Sequence, residues 1–151
     1  MVQSHLSKTY LDGACFCDDE NPVIVYTARY DRVDNFWFTL AHEVAHVLLH
    51  LTPGKENYIL DDLESGDSSK IEKEADAEAE KMLKVKEILA LATPYKRYLS
   101  EVNLQNISKQ LGIEISVILG ILQHHDIVDY RKLNKFKKKV KPLFPTEVMM
   151  G

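Results

Sequence analysis

Short β-favouring runs at residues 13–18 (GACFCD) and 22–27 (PVIVYT) flank the polar, turn-prone Asp18-Asp19-Glu20-Asn21. They predict an antiparallel hairpin with a loop of about four residues. From Tyr30-Asp31-Arg32-Val33-Asp34 onward the spacing becomes helical, with Phe38, Ala41, Ala45, Leu48 and Leu49 as the apolar positions. A helix is expected over 36–51, capped by Asp31 or Asp34 and stopped by Pro53-Gly54. A candidate edge strand at 58–60 and an acidic, flexible stretch at 61–69 follow. A second helix is then predicted over 70–92, capped by Ser68 or Ser69, rich in Ala, Glu, Lys and Leu, and ended by Thr93-Pro94.

Beyond Asn103 the pattern shortens. Leu104, Ile107 and Leu111 form one apolar stripe, Gly112 interrupts it, and Ile115, Ile118, Leu119 and Leu122 form another. Two short helices around a glycine have the outline of a helix-turn-helix. The second carries no Arg or Lys with which to read bases, so plain packing is the expected use.

At 151 residues and 45% hydrophobic, the chain can bury one compact core. We expect one main domain over 1–100 and a helical C-terminal extension over 101–151 packed on it. No apolar run is long enough to span a membrane, and the N-terminal MVQSHLSKTY lacks a signal-like core, which predicts a soluble, cytoplasmic protein without membrane contact. The net charge of −4 is uneven: Arg131, Lys132, Lys135, Lys137, Lys138, Lys139 and Lys141 lie within eleven residues, and without them the rest carries −11. The main body is therefore unsuited to nucleic acid, and the basic run is expected to be a solvated face. Cys15 and Cys17 share one face of a strand, and a single Cys-x-Cys pair cannot complete a thiolate cage, so both are expected to be free thiols without a chemical role.

The chemistry concentrates in His42-Glu43-Val44-Ala45-His46. Histidines at i and i+4 of a helix project one turn apart from one face and can direct two imidazoles at one zinc ion. Glu43 stands beside them, suited to act as general base towards water rather than as a ligand. A catalytic zinc needs a third protein ligand. His50 lies about 12 Å from His42 along the helix axis, too far for one ion to hold all three, and is expected to be an outer or core residue. On the second helix, Ile71, Ala75, Ala79, Met82 and Leu83 form the apolar stripe; Glu72 lies close to it and Glu74 points away. Glu72 is the better third ligand, with Glu74 left as the alternative. Asp76, one turn beyond Glu72, can accept the free N–H of a ligating histidine.

The segment from Phe38 to His50, FTLAHEVAHVLLH, followed by Glu72-Lys73-Glu74-Ala75-Asp76, resembles the ImmA/IrrE family of metallo-endopeptidases. The similarity runs from the Leu11-Asp12-Gly13-Ala14 segment to Leu83 and, more weakly, to the end. The stretch from Tyr30 to Trp37 is similar to the subgroup in which the domain follows a DNA-binding domain in an antitoxin-like regulator, so the chain is expected to be a stand-alone member or a fragment of such a regulator. The resemblance implies an α+β, gluzincin-like fold: a small antiparallel sheet packed on the motif helix, a second ligand-bearing helix, and a helical C-terminal region. It implies a zinc site of two His and one Glu, and a protein substrate that is a transcriptional repressor or antitoxin. Two positions depart from the family's habit: Glu78 stands where an apolar aromatic is common, and Lys84-Val85 where Met-Pro is common.

Two functions are consistent with these residues. One is an endopeptidase with zinc on His42, His46 and Glu72 and with Glu43 as proton carrier; Arg29, Tyr30 and His124 are candidates to stabilise the charge that develops on the carbonyl oxygen. The other is a non-proteolytic, metal-binding module that regulates an associated transcription factor.

Overall fold

The computed structural model describes residues 2–3, 12–51, 68–96, 98–146 and 149–150. The candidate strand at 58–60 and the acidic stretch at 61–67 lie outside them. The described elements are strands β1 (Val2–Gln3), β2 (Gly13–Asp18), β3 (Asn21–Tyr26) and β4 (Met149–Met150) and helices α1 (Val33–Leu49), α2 (Ser68–Met82), α3 (Val85–Ala92), α4 (Glu101–Leu111) and α5 (Ile115–His124). The fold is α+β.

The hairpin of β2 and β3 is antiparallel, in register from Gly13 opposite Tyr26 to Asp18 opposite Asn21. Its loop is the two residues Asp19-Glu20 rather than four, because Asp19 takes a positive φ of 54° and closes the turn early. The sheet is mixed rather than wholly antiparallel: β1 pairs in parallel with both β3 and β4, in the order β2-β3-β1-β4. Among the described strands β2 lies at the edge, and both hairpin strands pack on α1.

Helix α1 begins at Val33, earlier than expected, and neither Asp31 nor Asp34 caps it. Asp34 is buried in the first turn and paired with Arg32 at 2.6 and 3.1 Å. The Asp31 carboxylate accepts instead from the backbone N–H groups of Val140 and Lys141, at 3.0 and 2.9 Å. Leu48 and Leu49 are exposed, not buried; Leu48 stands about 200° around the helix from the buried His46.

The long second helix is two helices. Lys84 takes a left-handed conformation (φ 54°, ψ 39°), which ends α2 and starts α3 in a new direction. Val85, the first residue of α3, is buried with Ile88 and Ala92 in the common core, whereas Met82 on the other side of the break is half exposed. That core also takes in Tyr26, Ala41, Ala79, Leu104, Ile118 and Leu122, residues from both sides of position 100.

Ser100 and Asn103 form a reciprocal capping box on α4, Gly112 ends it at φ 67°, and Glu114 caps α5 by accepting from the Ser116 amide. Every residue of α5 from Ser116 to Gln123 is buried, so this helix has no face free for a DNA groove. The region after α5 is not mainly helical. It consists of turns, two short 3₁₀ helices (Asn134–Phe136 and Lys141–Leu143) and β4, with positive φ at Asp126 and Leu133 breaking any longer helix. Nor is the basic run simply solvated: Lys135 pairs with Glu101, Lys138 with Glu114 at 2.8 Å and Arg131 with Asp129 at 3.0 Å, while the Lys138 carbonyl accepts from the Val33 amide. The run straps the C-terminal segment across the start of α1.

Gly120 marks a close approach of α5 to α1. A Cβ there would stand 2.6 Å from Cβ and from Oδ2 of Asp34, whereas one at Gly112 would meet nothing within 4 Å. Gly120→Ala should therefore cost about 1–3 kcal/mol by overpacking, and Gly112→Ala about 1 kcal/mol through its left-handed backbone alone. Urea denaturation compares them, and an equal or smaller loss for Gly120→Ala would refute the close approach.

Candidate metal centre

The i, i+4 spacing on α1 sets His42 and His46 edge to face, with ring centroids 4.6 Å apart and Nε2 atoms 2.9 Å apart. Helix α2 crosses them and brings Glu72 to the same point: Oε2 lies 3.1 Å from His42 Nε2 and Oε1 3.3 Å from His46 Nε2. Among the described residues these three form the one His/Cys/Asp/Glu group able to hold a metal ion, their donor atoms all within 4.8 Å of one another.

The donor set fits a small divalent ion. A tetrahedral centre with ligand bonds of 2.0–2.1 Å has edges of about 3.3 Å; the two ring nitrogens here are 2.9 Å apart, each has a different oxygen of Glu72 at 3.1 or 3.3 Å, and one donor atom from each of the three residues falls within 4.8 Å of the others. Two imidazole nitrogens and a carboxylate suit zinc-class metals better than calcium or magnesium, which prefer all-oxygen shells. Burial pushes the pKa of His46 down, with His42 beside it acting in the same direction and Glu72 against it, which favours the neutral ring that has a lone pair to give. Asp76 Oδ1 stands 2.8 Å from Nδ1 of His42, the position from which a carboxylate orients a ligating ring. Glu74 does not simply point away: it reaches α1 one turn beyond the cluster, at His50.

Glu43 is buried beneath β2. A Cβ at Gly13 would lie 2.9 Å from Glu43 Oε1 and 2.6 Å from Thr39 Cγ2, so glycine is what lets the edge strand pack over this carboxylate. Burial pushes the Glu43 pKa up, against the hydrogen bond from the Cys15 thiol and the nearness of His42, which pull it down. A half-open cleft of about 790 Å³ runs past these groups. His124 lines it, together with His125 and Tyr130; Arg29 and Tyr30 do not. Arg29 lies 3.8 Å from Asp12, with its guanidinium over the Tyr30 ring, and the Tyr30 carbonyl accepts from the Tyr26 hydroxyl.

The profile of the IrrE N-terminal-like domain family, Peptidase_M78, matches residues 2–120. The chain belongs to that family. Comparisons with curated proteins and with solved structures found no match. In this IrrE-like domain the His-Glu-x-x-His helix and the glutamate helix both fall inside the matched residues, which is a metallopeptidase-type context for the cluster. The match also spans α3, α4 and most of α5.

Sequence reasoning missed Gly13 and Cys15 as neighbours of Glu43, and His125 and Tyr130 as cleft residues. The adjacent pair His124-His125 at the end of an apolar helix was the available signal for that wall. Cys15 and Cys17 are both free, but they differ: Cys15 is buried, and burial together with the neighbouring Glu43 carboxylate pushes its thiol from 9.0 up to about 12. Iodoacetamide at pH 9 should therefore label Cys17 well before Cys15 in the folded domain and both in denaturant, as read by mass spectrometry of tryptic peptides. Equal labelling of the two in the native state would contradict the contact between Cys15 and Glu43.

Proposed function

We propose that this domain is a zinc-dependent endopeptidase. The observation that supports it most is the convergence of His42, His46 and Glu72 on one point, with the buried Glu43 carboxylate one residue from the first histidine and a cleft alongside. A zinc ion held by those three residues supplies Lewis acidity towards a peptide carbonyl and makes a water molecule easier to deprotonate.

The remaining steps belong to side chains. Glu43 takes a proton from the attacking water and hands it to the departing amine nitrogen. Its removal from bulk water makes it a stronger base than an exposed carboxylate, and the backbone of Gly13 packs close against it. Asp76 holds the His42 ring so that Nε2 faces inward. The half-open cleft, beside a strand that is outermost among those described, suits an extended segment of a protein rather than a small enclosed molecule. We propose a DNA-binding regulator or antitoxin as that protein, on the strength of the family resemblance, and a cytoplasmic setting; no helix among the described residues is long and apolar enough to cross a membrane.

Glu43→Gln keeps the shape and removes the base. It should retain zinc at wild-type stoichiometry while lowering peptide-bond hydrolysis by about 10²–10⁴-fold; His42→Ala should lose the metal itself. Metal content by elemental analysis and cleavage of candidate regulator proteins by gel assay provide the two readouts. If a regulatory effect in cells survives Glu43→Gln intact, the domain acts as a non-proteolytic metal-binding module instead.

A further inference from the structure

His50 is not part of the three-residue cluster, yet it is held as firmly as its members. Its Nδ1 lies 3.0 Å from Nδ1 of His46, one turn back on α1, and its Nε2 lies 3.2 Å from Oε2 of Glu74 on α2. Its side chain is only 11% exposed. Glu74 is itself approached by Lys70 at 3.8 Å, one turn earlier on α2.

The direction of these hydrogen bonds follows from their far end. An ionised carboxylate can only accept, so Glu74 requires the hydrogen on His50 Nε2. In the tautomer that places its ring hydrogen on Nε2, His50 presents a bare Nδ1, which can only accept. The hydrogen bond across the 3.0 Å gap is then made by the His46 tautomer with its hydrogen on Nδ1, which leaves His46 Nε2 with a free lone pair. That bare nitrogen is the one facing His42 and Glu72 at 2.9 and 3.3 Å.

We infer that Glu74 and His50 form a two-step relay that fixes His46 in the tautomer able to bind a metal, so that both are positioning residues of the centre. The inference rests on the metal-binding reading above. The two histidines of the cluster are then each backed by a carboxylate of α2: His42 directly by Asp76, and His46 through His50 by Glu74. The buried ring needs the intermediary because His46 faces into the core, with 3% of its side chain exposed, and no α2 carboxylate reaches its Nδ1 among the described contacts.

The test measures zinc affinity of the whole chain by competition with a chelator of known affinity, and the tautomer of His46 by long-range ¹H–¹⁵N spectra of histidine-labelled metal-free protein. His50→Phe, which cannot accept, should weaken zinc about 10–100-fold and remove the Nδ1–H pattern of His46. His50→Gln, whose amide oxygen can accept, should restore most of the affinity. Glu74→Ala should weaken zinc in the same direction, and adding it to His50→Phe should cost nothing further, because Glu74 acts through His50. Should His50→Phe prove misfolded by circular dichroism, Glu74→Ala and His50→Gln decide the matter, since Glu74 is half exposed. The relay is refuted if Glu74→Ala and the His50 variants bind zinc within twofold of the parent while His42→Ala loses it. Retention of zinc by His42→Ala as well would overturn the metal centre along with the relay.

Discussion

Helix α1 carries three polar side chains into the interior, and a buried polar group without a partner costs more than a missing apolar contact. Asp34 is met by Arg32, Glu43 by the Cys15 thiol, and His46 by His50 on one side and by His42 and Glu72 on the other. These partners come from the segment before the helix, from the edge strand, from the helix itself and from α2. Satisfying α1 therefore draws the surrounding elements towards it. The close approach of Gly13 over Glu43 and of Gly120 over Asp34 are two consequences of that demand, since a side chain at either position would displace the partner arrangement.

Much of the centre was legible because its chemistry is local. The spacing of His42 and His46 on a helix is enough to predict that their rings share a face, and a 100° step per residue is enough to prefer Glu72 beside the apolar stripe. The crossing of α1 and α2 then decides which side chains meet, and wheel geometry cannot supply it. Glu74 illustrates the limit: its Cβ direction away from the stripe was readable, but the length of the side chain and the neighbouring helix bring its carboxylate to His50. His50 was excluded as a ligand by axial distance alone, and its outer contacts depend on a helix that lies 24 residues away in sequence.

The fold was less readable where backbone exceptions or long-range contacts decide. The break between α2 and α3 rests on one left-handed residue, Lys84, in a run of good helix formers. The departure at Lys84-Val85 from the family's Met-Pro was the only signal there. A proline would fit the first position of α3, which Val85 occupies, and without it propensity reads straight through. The strap formed by the basic run was hidden for another reason: its anchors are Asp31 and Glu114, 109 and 24 residues away, and composition shows only a cluster of lysines. For α5 the sequence was sufficient: without Arg or Lys to read bases it was expected to pack, and its neighbours cover it on all sides.

Zinc K-edge X-ray absorption on the purified protein is the most direct measurement of the centre. One zinc per chain with nitrogen and oxygen neighbours at about 2.0–2.1 Å, an imidazole scattering pattern from two rings and no sulfur shell is the expected spectrum. A sulfur neighbour at about 2.3 Å would place Cys15 or Cys17 on the metal and contradict the assignment to His42, His46 and Glu72, and so would protein that takes up no zinc at all.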